Sequence, residues 1–587
     1  MTNWSRKLVK TWEATQVELN GNYSSKRVRD LAQYTRETSS LHVLAVILLT
    51  PIPCLLTTVV IDVLPLANPS QGVNANKVFW IREYYTFLVV TFLATEQFRY
   101  SVPILPYPLM RAIINSFIAA ALSVTLMYGL ALAIGFPLPF SILLVTPPWL
   151  SFITMFLAIE WGKKIRETPG SGTMLINVIK LWLCQVLMVF IYPPYYFIFT
   201  TLSPKGQTAF SMLLPVIKVA MRNVFGRTVV HMSDEVPEVI TFNIEIYNAL
   251  FISYCMQNSP SIGTTLMVTV TLLVQLAMSL RDVYEATQRM ELVGRRLGGA
   301  HQYGEPQYSK LKPSAGGRKL SALLHAETML LSDDSHIRIK VRSMSSVRVR
   351  SERLSSCHDE NVLVESGEPS DTISVEERDF KFESRSTVQL QHSVEVRIPE
   401  SVKLAKSNSV SKQLSPTLLQ YVLEVRRLMY LTEFLVLINY VGVFIPLIFS
   451  IYMVVMYHLP NRMYYAQLAN LSKDDLYEAL KNVMFNCSLK LVALIILCSV
   501  LQYKLHFSAL RQLAFVLEKQ WFSVQTKAVF WVYYNVQCSL QHQGTTTYFI
   551  LFVKNVNTKD CCYCSGYDYS FHFAWLQSSE SNNSTMT

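Results

Sequence analysis

Apolar runs close to the length of a membrane span, separated by short polar punctuation, set the pattern of this chain. The cleanest, 262–280, holds 19 residues and no charge. A bilayer core of about 30 Å needs roughly 20 helical residues at about 1.5 Å each. Comparable runs predict spans at 41–64, 113–134, about 140–159, 174–202 and 237–256. Two runs are weaker: 81–98 contains Glu83 and Glu96, and 208–224 contains Lys218 and Arg222. If both cross, the basic segment after Leu280 falls on the same side as the basic N-terminus, as the preference of Lys and Arg for the cytoplasmic side requires. The proline pairs Pro51/Pro53 and Pro147/Pro148 are expected to break their helices.

After Leu280 the pattern stops. Arg281, Asp282, Glu285, Arg289, Glu291, Arg295 and Arg296 crowd together, and Ser, Arg and Glu dominate to residue 414. Such a segment buries too little apolar surface to offset its ordering entropy, so 281–414 reads as a disordered cytoplasmic loop. It is basic up to Arg353 and net acidic beyond. The basic half suits anionic lipid headgroups. Ser345, Ser355 and Ser356 follow arginines at spacings that suit a basophilic kinase, and phosphate there would cancel the basic charge. Apolar periodicity returns with an amphipathic helix near 416–430, a span at 431–457, an outer loop at 460–486 with the glycosylation sequon at Asn470, and a short span at 486–502.

The fold class is therefore an all-α, polytopic transmembrane bundle of about 10 spans with a long disordered cytoplasmic loop. Its parts are a cytoplasmic segment (1–40), a first bundle of about eight spans (41–280), the loop (281–414), a helix plus two spans (415–506) and an aromatic amphipathic tail (507–587). Within that tail, 510–540 is expected to lie along the membrane. Both termini are expected to be cytoplasmic, in the plasma membrane or an endomembrane.

Composition supports a membrane class: 51% of residues are hydrophobic and 16% charged, against about 25% charged in soluble domains. The net charge of +11 fits orientation and lipid contact better than nucleic acid, for which no motif is present. The expected partners are the bilayer, anionic headgroups, cytoplasmic proteins and a kinase. Ten cysteines give no disulfide framework. Cys561, Cys562 and Cys564 lack a fourth ligand at zinc spacing, so no metal and no cofactor is expected. The stretch 544–565 breaks an otherwise smooth passage and resembles translated intron sequence.

No Walker A loop, GxGxxG, HExxH or GxSxG occurs, and no catalytic residue is assigned. What remains are ionisable groups near span depth: Asp62, Glu96, Glu160, Lys180, Lys218, Arg222, Glu245, Glu433 and Lys490. Intramembrane charge is costly and usually faces a partner or a cavity. Glu245 lies well inside the run ITFNIEIYNALF, with Asn248 one turn on, and Lys180, Lys218 and Arg222 are its candidate counter-charges. The leading reading is a transporter or channel-like protein for a small solute or ion. The alternatives are a sensor or scaffold with a phosphorylation-regulated loop, and a lipid-modifying membrane enzyme. For Glu245 itself, a structural ion pair is the competing account.

The stretches VILLTPIPCLLTTVVIDVLPL, NANKVFWIREYY and SALRQLAFVLEKQW resemble an uncharacterised family of multi-pass membrane proteins found in oomycetes. The resemblance covers the first spans and the C-terminal region, and implies no activity or site residue.

Overall fold

The computed structural model describes residues 16–138, 141–202, 204–210, 213–258, 262–301, 323, 416–465, 468–469, 471–537 and 540–543. Asn470, Ser345, Ser355, Ser356, the loop from 302 on apart from residue 323, and 544–565 lie outside them. Regular structure among the described residues is helical, apart from one bridge between Tyr465 and Leu540. The helices, in chain order, are α1 (Ser25–Glu37), α2 (Ser40–Leu49), α3 (Ile52–Asp62), α4 (Lys77–Ser101), α5 (Leu109–Ile134), α6 (Ser141–Glu167), α7 (Ser171–Thr201), α8 (Pro204–Phe210), α9 (Leu213–Val229), α10 (Val236–Asn258), α11 (Ile262–His301), α12 (Pro416–His458), α13 (Lys473–Leu505), α14 (Ala509–Lys519) and α15 (Trp521–Gln537).

Eight stretches among the described residues are long and apolar enough to cross a membrane: Ser40–Asp62 (α2 with α3), one in each of α5, α6 and α7, and one in each of α10 to α13. They match eight of the ten runs expected from hydropathy. The other two, α4 and α9, are helices that fall short of that standard. Arg82, Glu83, Glu96 and Arg99 make α4 too polar, and α9 has 17 residues. The expected break at Pro51 separates α2 from α3, whereas the break expected at Pro147/Pro148 does not occur: α6 runs through both prolines.

Burial sorts the spans. In α10, 89% of the apolar window is buried, and in α12 78%, whereas only 11% is buried in α11. α10 and α12 are thus the axis of the bundle, and α11 presents an apolar face outward, as a lipid-facing helix does.

Three expectations change. The N-terminal segment is packed: Ser24 caps α1, and Tyr23, Val28, Leu31 and Ala32 are fully buried on one helical face. Second, helix α11 runs on to His301, beyond the boundary at 281. Val283, Ala286, Met290 and Val293 bury one face at helical spacing, while Arg281–Glu285 (2.7 Å) and Glu291–Arg295 (3.6 Å) pair along the outer one. Third, α15 does not lie on the outside. Thirteen of its 17 residues are buried, against α3, α4 and α10. The described residues from 16 to 301 and from 417 to 543 belong to one compact unit, so the two hydrophobic halves share a single core.

Contacts define the two ends of this unit. At one end Ser24 N donates to Asp234 (2.7 Å), Tyr100 OH to Glu235 (2.8 Å) and Arg99 to the Tyr107 carbonyl (2.9 Å). At the other, Leu66 N donates to Asn461 (2.8 Å), Ser141 Oγ to the Gln543 carbonyl (2.6 Å), and His542 meets the Ala67 carbonyl (2.8 Å). Phe79, Phe136 and Tyr464 surround the His542 ring. Burial, with the Arg82 charge adding to it, pushes this imidazole down to about 4, so His542 is neutral at physiological pH.

Candidate functional site

Helix α10 is enclosed by protein and yet carries a column of polar groups, which fixes where the chemistry of this bundle sits. Glu238, Thr241, Asn243, Glu245, Asn248 and Ser253 are all buried. A helix in lipid could not tolerate this column, but one surrounded by other helices can if each group finds a partner.

Near the first end, Lys527 of α15 pairs with Glu238 at 3.0 Å, and Ser523 Oγ also donates to that carboxylate (3.1 Å). A turn and a half on, Asn243 Oδ1 accepts from Gln185 (2.8 Å) and from the Trp531 indole (3.1 Å). Glu245 follows. Lys218 Nζ sits 2.8 Å from its Oε2, and Arg222 Nη2 donates to its Oε1. Lys218 and Arg222 are four residues apart on α9, so they share one face and converge on a single carboxylate. Arg222 also reaches Glu18 (3.3 Å).

Sequence reading placed Glu245, Lys218 and Arg222 together, and the structure joins them. Lys180 is a correction. It lies on the exposed face of α7 and is not among the charges acting on Glu245, because α7 meets α10 through Gln185 instead. Asn248 is buried one turn beyond Glu245, and its Oδ1 has no hydrogen-bond partner.

The structure adds Lys490 of α13, which lay in the wider set of ionisable residues without an assigned role. It is buried, and its stem packs over Gly442, where any Cβ would fall 2.9 Å from Lys490 Cδ. Its nearest polar contact is the neutral amide of Gln275, at 3.5 Å. No carboxylate lies within ion-pair reach of it among the described residues, although the charges of Lys218, Arg222 and Glu245 act on it. Asn486, one turn earlier on α13, also has a buried Oδ1 without a partner.

Two other buried pairs brace the bundle at its ends. Asp62 accepts from Arg82, Tyr465 OH and Tyr452 OH (2.8 Å), and both ionic side chains have no exposed surface. Glu433 pairs with Arg27 at 2.8 Å and accepts from Tyr23 OH. Sequence reading singled out Asp62 and Glu433 but neither partner, and Glu238–Lys527 escaped it entirely. Glu96 and Glu160 are paired toward the first end, with Arg99 (2.7 Å) and with Lys164 (2.7 Å) and Arg111 (3.0 Å). Asp234 and Glu235, near His231 in the sequence, are taken up by Ser24 and Tyr100. No cluster of three metal-ligating side chains occurs among the described residues.

Comparison with family models, with curated proteins and with solved structures found no match.

Proposed function

We propose that this chain is a transporter or channel-like membrane protein for a small anion, with the Lys218–Arg222–Glu245–Lys490 cluster on the path of the solute. The observation that carries the reading is a surplus of positive charge in the enclosed core. Lys218 and Arg222 share Glu245, Arg222 also reaches Glu18, and Lys490 lies buried among their charges with no carboxylate in ion-pair reach among the described residues, so Lys490 in its protonated form adds an uncompensated positive charge there. A protonated amine in a low-dielectric core is unstable on its own, and it either gives up its proton or holds a counter-ion; the reading takes the second course. Lys490, held by a neutral amide, is the natural contact for that ion.

In this reading α4 and α9 cross as well, which makes ten crossings up to Leu505. α4 begins at the His542 end and finishes beside Glu235, so it runs the full length of the unit. α9 finishes beside the turn that holds Asp234 and Glu235. Their polarity follows from what they face: Arg82 and Arg222 point at buried carboxylates, not at lipid.

The test is flux of chloride and of inorganic phosphate into liposomes carrying the purified full chain. Wild type is expected to move at least one of them, and Lys490→Met to lower that rate by about ten-fold or more, the loss of roughly 1.4 kcal/mol or more of favourable electrostatics. If neither anion moves, or if Lys490→Met transports like wild type, the reading fails.

A further inference from the structure

The C-terminal helices α14 and α15 follow the first hydrophobic stretch through its whole length. Arg511 donates to the Thr35 carbonyl and His42 meets Glu518; Gln525 donates to the Thr50 carbonyl, Cys54 to the Ala528 carbonyl, and His542 meets the Ala67 carbonyl. These five contacts link residues separated in sequence by 474 to 476 positions. A nearly constant separation means the two segments run in the same direction, in register, residue for residue. Antiparallel neighbours would give separations that shrink steadily along the pair.

We propose that 509–537 is a further membrane crossing, parallel to Ser40–Asp62, which brings Gln543 to the face opposite the start of α1. The 11 residues of α14 and 17 of α15, at about 1.5 Å each, reach about 42 Å, enough for a hydrocarbon core of about 30 Å. Hydropathy overlooks this crossing because α15 faces protein on nearly every side. Its Lys527 meets Glu238, its Gln525 meets the Thr50 carbonyl, and its Trp531 meets Asn243. Polar side chains matched in this way carry little of the cost they would have against lipid. The end of the segment is anchored too. Gln543 donates to Glu83 (2.5 Å), and Leu540 pairs with Tyr465, both at the end of the unit remote from α1.

This reverses the expectation that both termini lie on one side. The inference rests on Ser40–Asp62 crossing the membrane and not on transport.

The experiment uses the full chain in sealed microsomes with one epitope tag per molecule: before Met1, after Asn74 or after Thr587. Protease added outside is expected to remove the first and spare the other two. A tag after Thr587 that is cut together with the one before Met1 overturns the inference. So does a tag after Asn74 on the same side as Met1, which removes its premise while leaving the flux assay to stand or fall separately.

Discussion

Asp62→Ala is expected to lower stability by about 3–5 kcal/mol, the cost of stranding a buried charge whose partner has been removed. Arg82 would keep only the Tyr465 hydroxyl at 3.0 Å and Gln537 at 3.5 Å, and its Nε and Nη1 already have no partner. Tyr452 and Tyr465 would each lose the carboxylate they donate to. These groups belong to α3, α4, α12, α15 and the turn at 460–465, so one substitution loosens the junction of five elements. Thermal unfolding in detergent at one fixed scan rate, together with the monodisperse yield, measures the effect. The double variant Asp62→Leu/Arg82→Met is expected to recover most of the loss, because replacing a buried pair with apolar groups is far milder than breaking it. A double variant as unstable as the single would mean the pair matters for its shape or its tyrosine contacts more than for its charge.

Glu245→Gln is expected to strike function as well as stability. The substitution keeps the side-chain shape but leaves Lys218 and Arg222 without the carboxylate they share. Breaking a buried pair of this kind costs about 3–5 kcal/mol, less here because Arg222 retains Glu18. Electrostatically, the surplus in the core grows by one charge. An anion should then bind more tightly and leave more slowly, since conduction needs a site favourable enough to enter and weak enough to release. In the liposome assay the half-saturating anion concentration should fall and the maximal rate should drop about ten-fold or more. Glu245→Gln/Lys218→Met removes one charge of each sign and restores the original surplus, so its flux should return toward wild type. If Glu245 is purely a structural ion pair, both variants will change stability and leave the half-saturating concentration where it was.

Hydropathy made eight of the hydrophobic helices legible because it counts apolar residues whichever way they face, so it found the enclosed α10 and α12 as well as the outward-facing α11. It also made Glu245 legible, since a carboxylate inside an apolar run stands out, and two cations four residues apart in a nearby run stand out with it. A helix whose protein-facing positions are polar escaped. α15 contains Gln525, Lys527 and Asn535, and looks like a surface amphipath until Glu238, Thr50 and α10 are placed around it. The pairs Arg27–Glu433 and Lys527–Glu238 join residues 406 and 289 positions apart, and no local pattern encodes such a distance. Lys180 misled because span depth says nothing about which way a helix face points. The extension of α11 was missed because its charges crowd one face, whereas the burial of Val283, Ala286, Met290 and Val293 sits on the other.

The most direct test of a charged core at membrane depth is a glycosylation-tag map with acceptor sites at Lys205, before α9, and at Val230, after it. Opposite sides for the two tags are the predicted result: α9 then crosses and carries Lys218 and Arg222 into the membrane beside Glu245. The same side for both would contradict the account, placing those cations at an interface and leaving no enclosed positive site for an anion to cross.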